Sequence, residues 1–302
     1  MRALRALCTR MALASATVLA IMAQSARAHA EGTGPSYDTP LPPEPPPEAY
    51  GITTDELIDL RMRRSWNDGN ARPFLATTLD VGWVYLRPRL SVGYGNPFKT
   101  WFGVDVNAIV GGAGLGGYGG LRLALPRFDL RVGPRYFAAF NRDNLNPQKS
   151  YNRVDLDSTA GTPSRVITFE AEAEASVPLG PGDIIGLGSV SYVTNVPQGQ
   201  LVFEETLRII VAPPLLWRGR GGYVVRFGTS RQHSVGIVAD VLDVPKRDDS
   251  LTVRIGPVVR VVLSRRVEVR GSFVPTIVSP DHIGLIGGDF TELGFRYRWA
   301  TE

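Results

Sequence analysis

From Phe74 onward apolar and polar residues alternate almost without a break. Leu75, Thr77, Leu79, Val81, Trp83 and Tyr85 share one parity and Thr78, Asp80 and Gly82 the other; after a bend at Arg87-Pro88 the pattern resumes in Leu90, Val92 and Tyr94. Phe102, Val104, Val106 and Ala108 oppose Gly103, Asp105 and Asn107. Leu121, Leu123 and Leu125 follow a glycine-rich stretch, Gly111 to Gly120, that reads as a turn region, and Phe128, Leu130, Val132, Tyr136 and Phe140 oppose Asp129, Arg131, Gly133 and Arg135. Successive side chains of a strand point to opposite faces, so each stretch predicts a strand with one apolar and one polar face. Further on, Ile167, Phe169, Ala171, Ala173, Ala175 and Val177 oppose Thr168, Glu170, Glu172, Glu174 and Ser176, and Gly180-Pro181-Gly182-Asp183 turns into a strand over 185–194. Strands are expected over 201–212, 222–228, 234–242, 251–263 and 267–277, the last two joined tightly at Ser264-Arg265. The final stretch has Leu293, Phe295, Tyr297 and Trp299 on one face and Gly294, Arg296 and Arg298 on the other.

This gives twelve or thirteen strands, and twelve if the segment bent at Pro88 is one long strand. The alternation fits two architectures. In a soluble sandwich the apolar face is buried and the polar face meets water. In a membrane barrel the apolar face meets lipid and the charged face lines the lumen. The rest of the chain favours the barrel. Rings recur near strand ends (Trp83, Tyr85, Tyr94, Trp101, Tyr118, Trp217, Tyr223, Tyr297, Trp299), where interfacial girdles place them. No later stretch is long and apolar enough to form a membrane helix, which needs roughly 18 residues.

Residues 1–28 carry Arg2, Arg5 and Arg10, an apolar run from Met11 to Met22, and Ala26-Arg27-Ala28, the order of a cleavable signal peptide; Ala28-His29-Ala30 is a second frame for the cut. Residues 29–52 hold the proline-rich run from Gly34 to Pro47, an extended linker in the polyproline conformation. Residues 53–70 open with Thr53-Thr54-Asp55-Glu56 and predict a short periplasmic helix to about Trp66. The barrel is expected over 71–302. Of the 33 basic and 29 acidic residues the leader takes four arginines and no acid, so the mature chain is close to neutral and the basic balance of the precursor gives no reason to expect nucleic acid. Cys8, the only cysteine, lies in the leader, so no internal disulfide or cysteine-based metal site is expected.

Leader, spacer, alternating strands and the Leu-Gly-Phe-Arg-Tyr-Arg-Trp terminus together resemble uncharacterised outer-membrane β-barrel proteins of Gram-negative bacteria, over roughly residues 74–300. The resemblance implies an antiparallel up-and-down transmembrane barrel in the outer membrane, with membrane lipids and the barrel-assembly machinery as partners. Ala300-Thr301-Glu302 departs from the aromatic residue that usually ends such chains. The resemblance transfers no functional residue.

The candidate chemistry is the charge on the inward face. Asp129, Arg131, Arg135, Glu170, Glu172, Glu174, Arg208, Arg226, Asp240, Arg254, Arg260, Glu268, Arg270, Arg296 and Arg298 are expected to line the lumen, with Leu293, Phe295, Tyr297 and Trp299 toward lipid. Opposed charge rows suit a passive pore or transport channel; the same residues, salt-bridged, suit a filled interior and a structural or adhesion barrel acting through the loop 141–164. A lipid-hydrolysing barrel would need Ser and His together. His29, His233 and His282 are the only histidines, and His233 and Ser234 are adjacent and so point to opposite faces; no enzyme, metal or cofactor is expected. The glycine run lacks the Lys-Ser/Thr of a phosphate loop. Arg218-Gly219-Arg220 and Lys246-Arg247 read as solvated turns or contacts to lipid phosphate. Sidedness conflicts: counted back from Trp299, loop 141–164 falls on the side of the C-terminus, whereas counted from a periplasmic turn at Gly180-Pro181-Gly182 it falls on the opposite side.

Overall fold

Strands that alternate this regularly need a partner along each edge, and here each strand finds it in its neighbours until the sheet meets itself. The computed structural model describes residues 71–82, 85–156, 163–228, 231–264, 266–283 and 293–301. The leader, the proline-rich segment, the expected helix and Trp83 lie outside them. The elements are β1 (Arg72–Gly82), β2 (Tyr85–Asn96), β3 (Thr100–Gly111), β4 (Gly114–Leu125), β5 (Phe128–Asp143), β6 (Pro163–Leu179), β7 (Gly182–Thr194), β8 (Val202–Glu204), β9 (Ile209–Val211), β10 (Leu215–Phe227), β11 (His233–Asp243), β12 (Thr252–Val262), β13 (Val267–Ser272), β14 (Thr276–Val278) and β15 (Gly294–Ala300).

All pairings between these strands are antiparallel. The order β11-β10-β7-β6-β5-β4-β3-β2-β1-β15-β13-β12 closes through β11–β12 into a twelve-stranded barrel. The additional strand, β14, continues the line of β13 along β12. β15 seals the ring against β1 from Ala76↔Ala300 to Gly82↔Gly294. β8 and β9 pair only with each other.

Two expectations about the strands are corrected, and the corrections cancel. The segment bent at Pro88 is two strands, β1 and β2, in register from Arg72↔Gly95 to Val81↔Leu86. Pro88 sits inside β2, where the β2–β3 ladder skips Arg87 and Pro88 because the imino nitrogen has no hydrogen to donate. The stretch 201–212 is not a wall strand but the β8–β9 hairpin. This also settles the sidedness. Alternating from β1, the connections 97–99, 126–127, 180–181, 228–232 and 263–266 fall at the end that carries the start of β1 and the end of β15. The connections 83–84, 112–113, 144–162, 195–214, 244–251 and 279–293 fall at the other. The long loops therefore share one end and the termini of the barrel the other. With 201–212 outside the wall, loop 141–164 falls at the end opposite the termini.

The glycine-rich stretch is likewise mostly strand, since 114–120 belong to β4. Gly120 is where backbones and a ring close in: a Cβ there would stand 2.4 Å from the Val132 carbonyl and 2.4 Å from the Tyr118 hydroxyl. At the tight β6–β7 turn Gly180 takes φ +55°, which costs glycine little.

Burial separates the faces. The outward parity is apolar and open: Tyr94 is 60% exposed, Phe102 56%, Ile237 56% and Phe295 58%, with Leu293 and Tyr297 also exposed and Trp299 half-buried. Tyr94 and Phe102 stand side by side in register. Tyr85, Trp101 and Tyr118 depart from the expected girdle, because they fall on the inward parity and Trp101 and Tyr118 are buried. The apolar core is inside the barrel, in two clusters toward the long loops and a third, around Phe74 and Trp101, toward the termini.

Candidate functional site

Inward-facing charges come from every wall strand and form a belt of ion pairs. Asp80 of β1 accepts from Arg296 (2.8 Å) and pairs with Arg87 (3.1 Å). Asp105 on β3 accepts from Ser91 (2.8 Å) and pairs with Arg89 (3.7 Å) and Arg122 (3.3 Å), and Arg122 reaches on to Asp129 (3.0 Å). Arg131 pairs with Glu172 and, at 3.7 Å, with Glu174. Arg218 and Arg220 both hold Asp240, at 2.8 and 2.7 Å, and Arg226 pairs with Asp183. On β13, Glu268 is fully buried and shared by Arg260 (2.9 Å), Arg270 (2.6 Å), Arg298 (3.2 Å) and Arg296 (3.8 Å). Desolvated charges need partners close by, and the cross-strand geometry supplies them: Arg131 stands opposite Glu172 and Glu268 opposite Arg296 in the ladders.

The acidic row Glu170, Glu172 and Glu174 is thus interleaved with Arg131 and Arg135 from the next strand. Arg218 and Arg220, read from sequence as a solvated basic cluster, are a correction, because they lie inside β10 on the inward face. The signal was the alternation Arg-Gly-Arg, masked by glycines that look like a turn. Asp80, Arg87, Arg89, Asp105, Arg122 and Asp183 complete the belt and were not singled out by sequence reasoning; parity alone would have found them. In the belt as a whole arginines outnumber carboxylates.

Across the belt lies the β8–β9 hairpin. It is buried on both faces. Val202, Leu207, Ile209 and Val211 pack with Val166, Val193, Leu216, Leu242 and Val244 of the barrel. On its other side Phe203 and Ile210 pack with Leu145, Tyr151, Leu156, Leu201 and Ile283 from the long loops. The tip is held at two nearly opposite points of the wall. On β5, Arg135 donates to Glu204 (2.7 Å), to Thr206 and to Glu170 (3.0 Å). On β12, the buried Arg254 donates to the carbonyl of Arg208 (3.0 Å). Arg208 therefore belongs to the hairpin turn, at φ 51°, and not to a wall strand as expected. Arg142 pairs with Glu205 and lies 5.0 Å over the Phe203 ring. Burial raises the Glu205 carboxyl above its usual range, with Arg142 opposing.

Loops close over the hairpin. Arg247 donates to both Asp281 oxygens (2.6 and 2.5 Å) and covers the buried Tyr151 ring at 5.3 Å, and Ser150 donates to the Pro280 carbonyl (2.6 Å). Arg247 was expected in a solvated turn and is instead a buried tie between loops. A cavity of about 10 Å³ lies here, against Arg208, Arg254 and Asp281. Toward the termini a cavity of about 120 Å³ opens between β1 to β5 and β15.

His233 accepts from the Val262 amide (3.1 Å) and meets Gln232, and the backbone of His282 donates to Tyr151 in the cap. Among the described residues no group of His, Cys, Asp and Glu has an arrangement that would hold a metal ion.

No protein-family model and no curated protein matches the chain. Among solved structures it is similar to a loop-deletion variant of OmpT, an outer membrane protein of Vibrio cholerae, at 9% identity and a TM-score of 0.32, over 75% of this chain and 97% of that one.

Proposed function

We propose that the barrel resides in the outer membrane and serves as a narrow channel for small charged solutes, kept closed by the β8–β9 hairpin. Residence is supported by the inverted surface: a closed wall with exposed Leu, Val, Ile and rings outside and ion pairs inside is suited to lipid rather than water. The observation that carries the channel reading is the hairpin itself. A segment folded into the lumen and pinned to β5 and β12 by Arg135 and Arg254 is a removable obstruction across a charged passage. Its hold is strong. Burying an aliphatic or Phe side chain contributes roughly 1.5–3 kcal/mol, and Val202, Phe203, Ile209, Ile210 and Val211 are all buried, so spontaneous release is rare and resting conductance low.

The depth of that packing also favours a second reading, a permanently closed barrel that works through its capped loop surface. Planar-bilayer recording separates the two. Intact barrel should give little or no current, and a variant with residues 201–212 replaced by a short Gly-Ser linker should give stable steps, provided that its unboiled band still migrates ahead of its boiled one. A folded, hairpin-less barrel that stays silent would remove the channel reading.

A further inference from the structure

The cavity toward the termini has a composition that the ion-pair belt alone does not require. Five cations line it, Arg89, Lys99, Arg122, Arg296 and Arg298, against one carboxylate, Asp129. The acids that balance these arginines, Asp80, Asp105 and Glu268, are buried and do not line the cavity. The opening therefore presents mainly cationic groups to whatever enters, while the carboxylates paired with them lie buried beneath, on the same inward face.

Its floor is aromatic. Phe74 and Trp101 meet edge to face, with centroids 5.3 Å apart at 85°, and the turn between β2 and β3 brings Phe98, at φ 65°, to the same cavity. Two of the cations are fixed against these rings: Arg122 over Trp101 at 5.4 Å and Arg298 over Phe98 at 5.3 Å. Ion pairs hold the same guanidinium groups as well, Arg122 to Asp129 and Arg298 to Glu268, so they are oriented before any ligand arrives. The volume, about 120 Å³, is of the order of the roughly 150 Å³ apolar cavity known to take a benzene ring, and this one is open on one side.

We propose that this vestibule binds small, flat organic monoanions, aromatic carboxylates in the first place, with the ring against Phe74 and Trp101 and the carboxylate toward Lys99, Arg122 and Arg298. The site does not depend on whether the barrel conducts.

The test is isothermal titration of the refolded barrel in a non-ionic detergent. The probes are benzoate, benzylamine (the same ring with the opposite charge) and inorganic phosphate. Benzoate should bind saturably, and benzylamine should not. Phosphate should bind at least tenfold more weakly than benzoate. Lys99→Glu, an exposed turn position, should weaken benzoate at least tenfold. Trp101→Leu should weaken benzoate while leaving phosphate unchanged. Lys149→Glu, exposed on a loop at the opposite end, should change nothing. Folding of each variant is checked by the difference between boiled and unboiled mobility; if Lys99→Glu fails that check, Lys99→Gln takes its place. Equal uptake of benzoate and benzylamine would reveal partition into micelles and overturn the site. Benzoate binding untouched at Lys99 would overturn its place. Phosphate binding as tight as benzoate, with no effect of Trp101→Leu, would overturn the aromatic class.

Discussion

Single side chains in this barrel are governed by which way their parity points. Phe295 and Arg296 are neighbours on β15, yet Phe295 is more than half exposed on the outer wall while Arg296 is bonded to Asp80 inside. Phe295→Asp should destabilise the barrel by about 1–3 kcal/mol in a urea folding titration with lipid vesicles, depending on depth. Arg296→Ala should cost less, since Arg87 still pairs with Asp80. Glu268 is the carboxylate held by the most arginines among those described. Its carboxylate is shared by Arg260, Arg270, Arg296 and Arg298, so Glu268→Gln leaves crowded cations without their common partner and should cost about 3 kcal/mol or more, read in the same titration. The sequence made the inward parity of Glu268 legible. Its four partners were legible as inward charges but not as partners, because the register that brings Arg260, Arg296 and Arg298 to it is set by the β12–β13 and β13–β15 pairings.

Among the elements, the hairpin is the one that alternation wrongly placed in the wall. Ile209, Ile210 and Val211 are apolar on both parities, which suits a ribbon buried on both sides, but in a chain full of strands the run reads as one more strand. Its role becomes visible only through Arg135 and Arg254. Arg135→Ala should free the tip, and limited trypsin digestion reports it: intact barrel resists cleavage after Arg208, and the variant should be cut there into two fragments, whereas unchanged resistance would show that apolar packing alone holds the hairpin. Glu205 gives the hairpin a pH dependence. Its carboxyl is raised in the docked state, so the protonated form favours docking; docking is tightest below the ordinary carboxylate range and weakens as pH rises through the docked value. Hydrogen exchange over 202–211, corrected for intrinsic rate, should therefore show less protection as pH rises from mildly acidic to neutral, and Glu205→Gln should flatten the trend.

At the scale of the whole molecule, the all-β class and the two-faced wall were legible from parity, because a period of two is a strong local signal; the count of twelve came out right because a merged pair of strands and a misread hairpin cancel. Strand-by-strand position was less so: Pro88 drew the division away from the end of β1, and glycines in β4 and β10 imitated turns. On the outer-membrane residence proposed above, with the long loops at one end and the barrel termini at the other, an epitope inserted after Asp248 should be reached by antibody on intact cells, and one inserted after Arg127 only after the outer membrane is permeabilised; the reverse result would invert the barrel. The seal between β1 and β15 joins residues 216 positions apart, as in Asp80 and Arg296. Until that contact forms, both strands are bare edges with unpaired backbone groups, open to any other chain. Contacts so distant in sequence form late and slowly. The chain thus spends its assembly as an open, adhesive sheet, and loss of β15 should leave a species that never closes and collects as aggregate rather than as a smaller barrel.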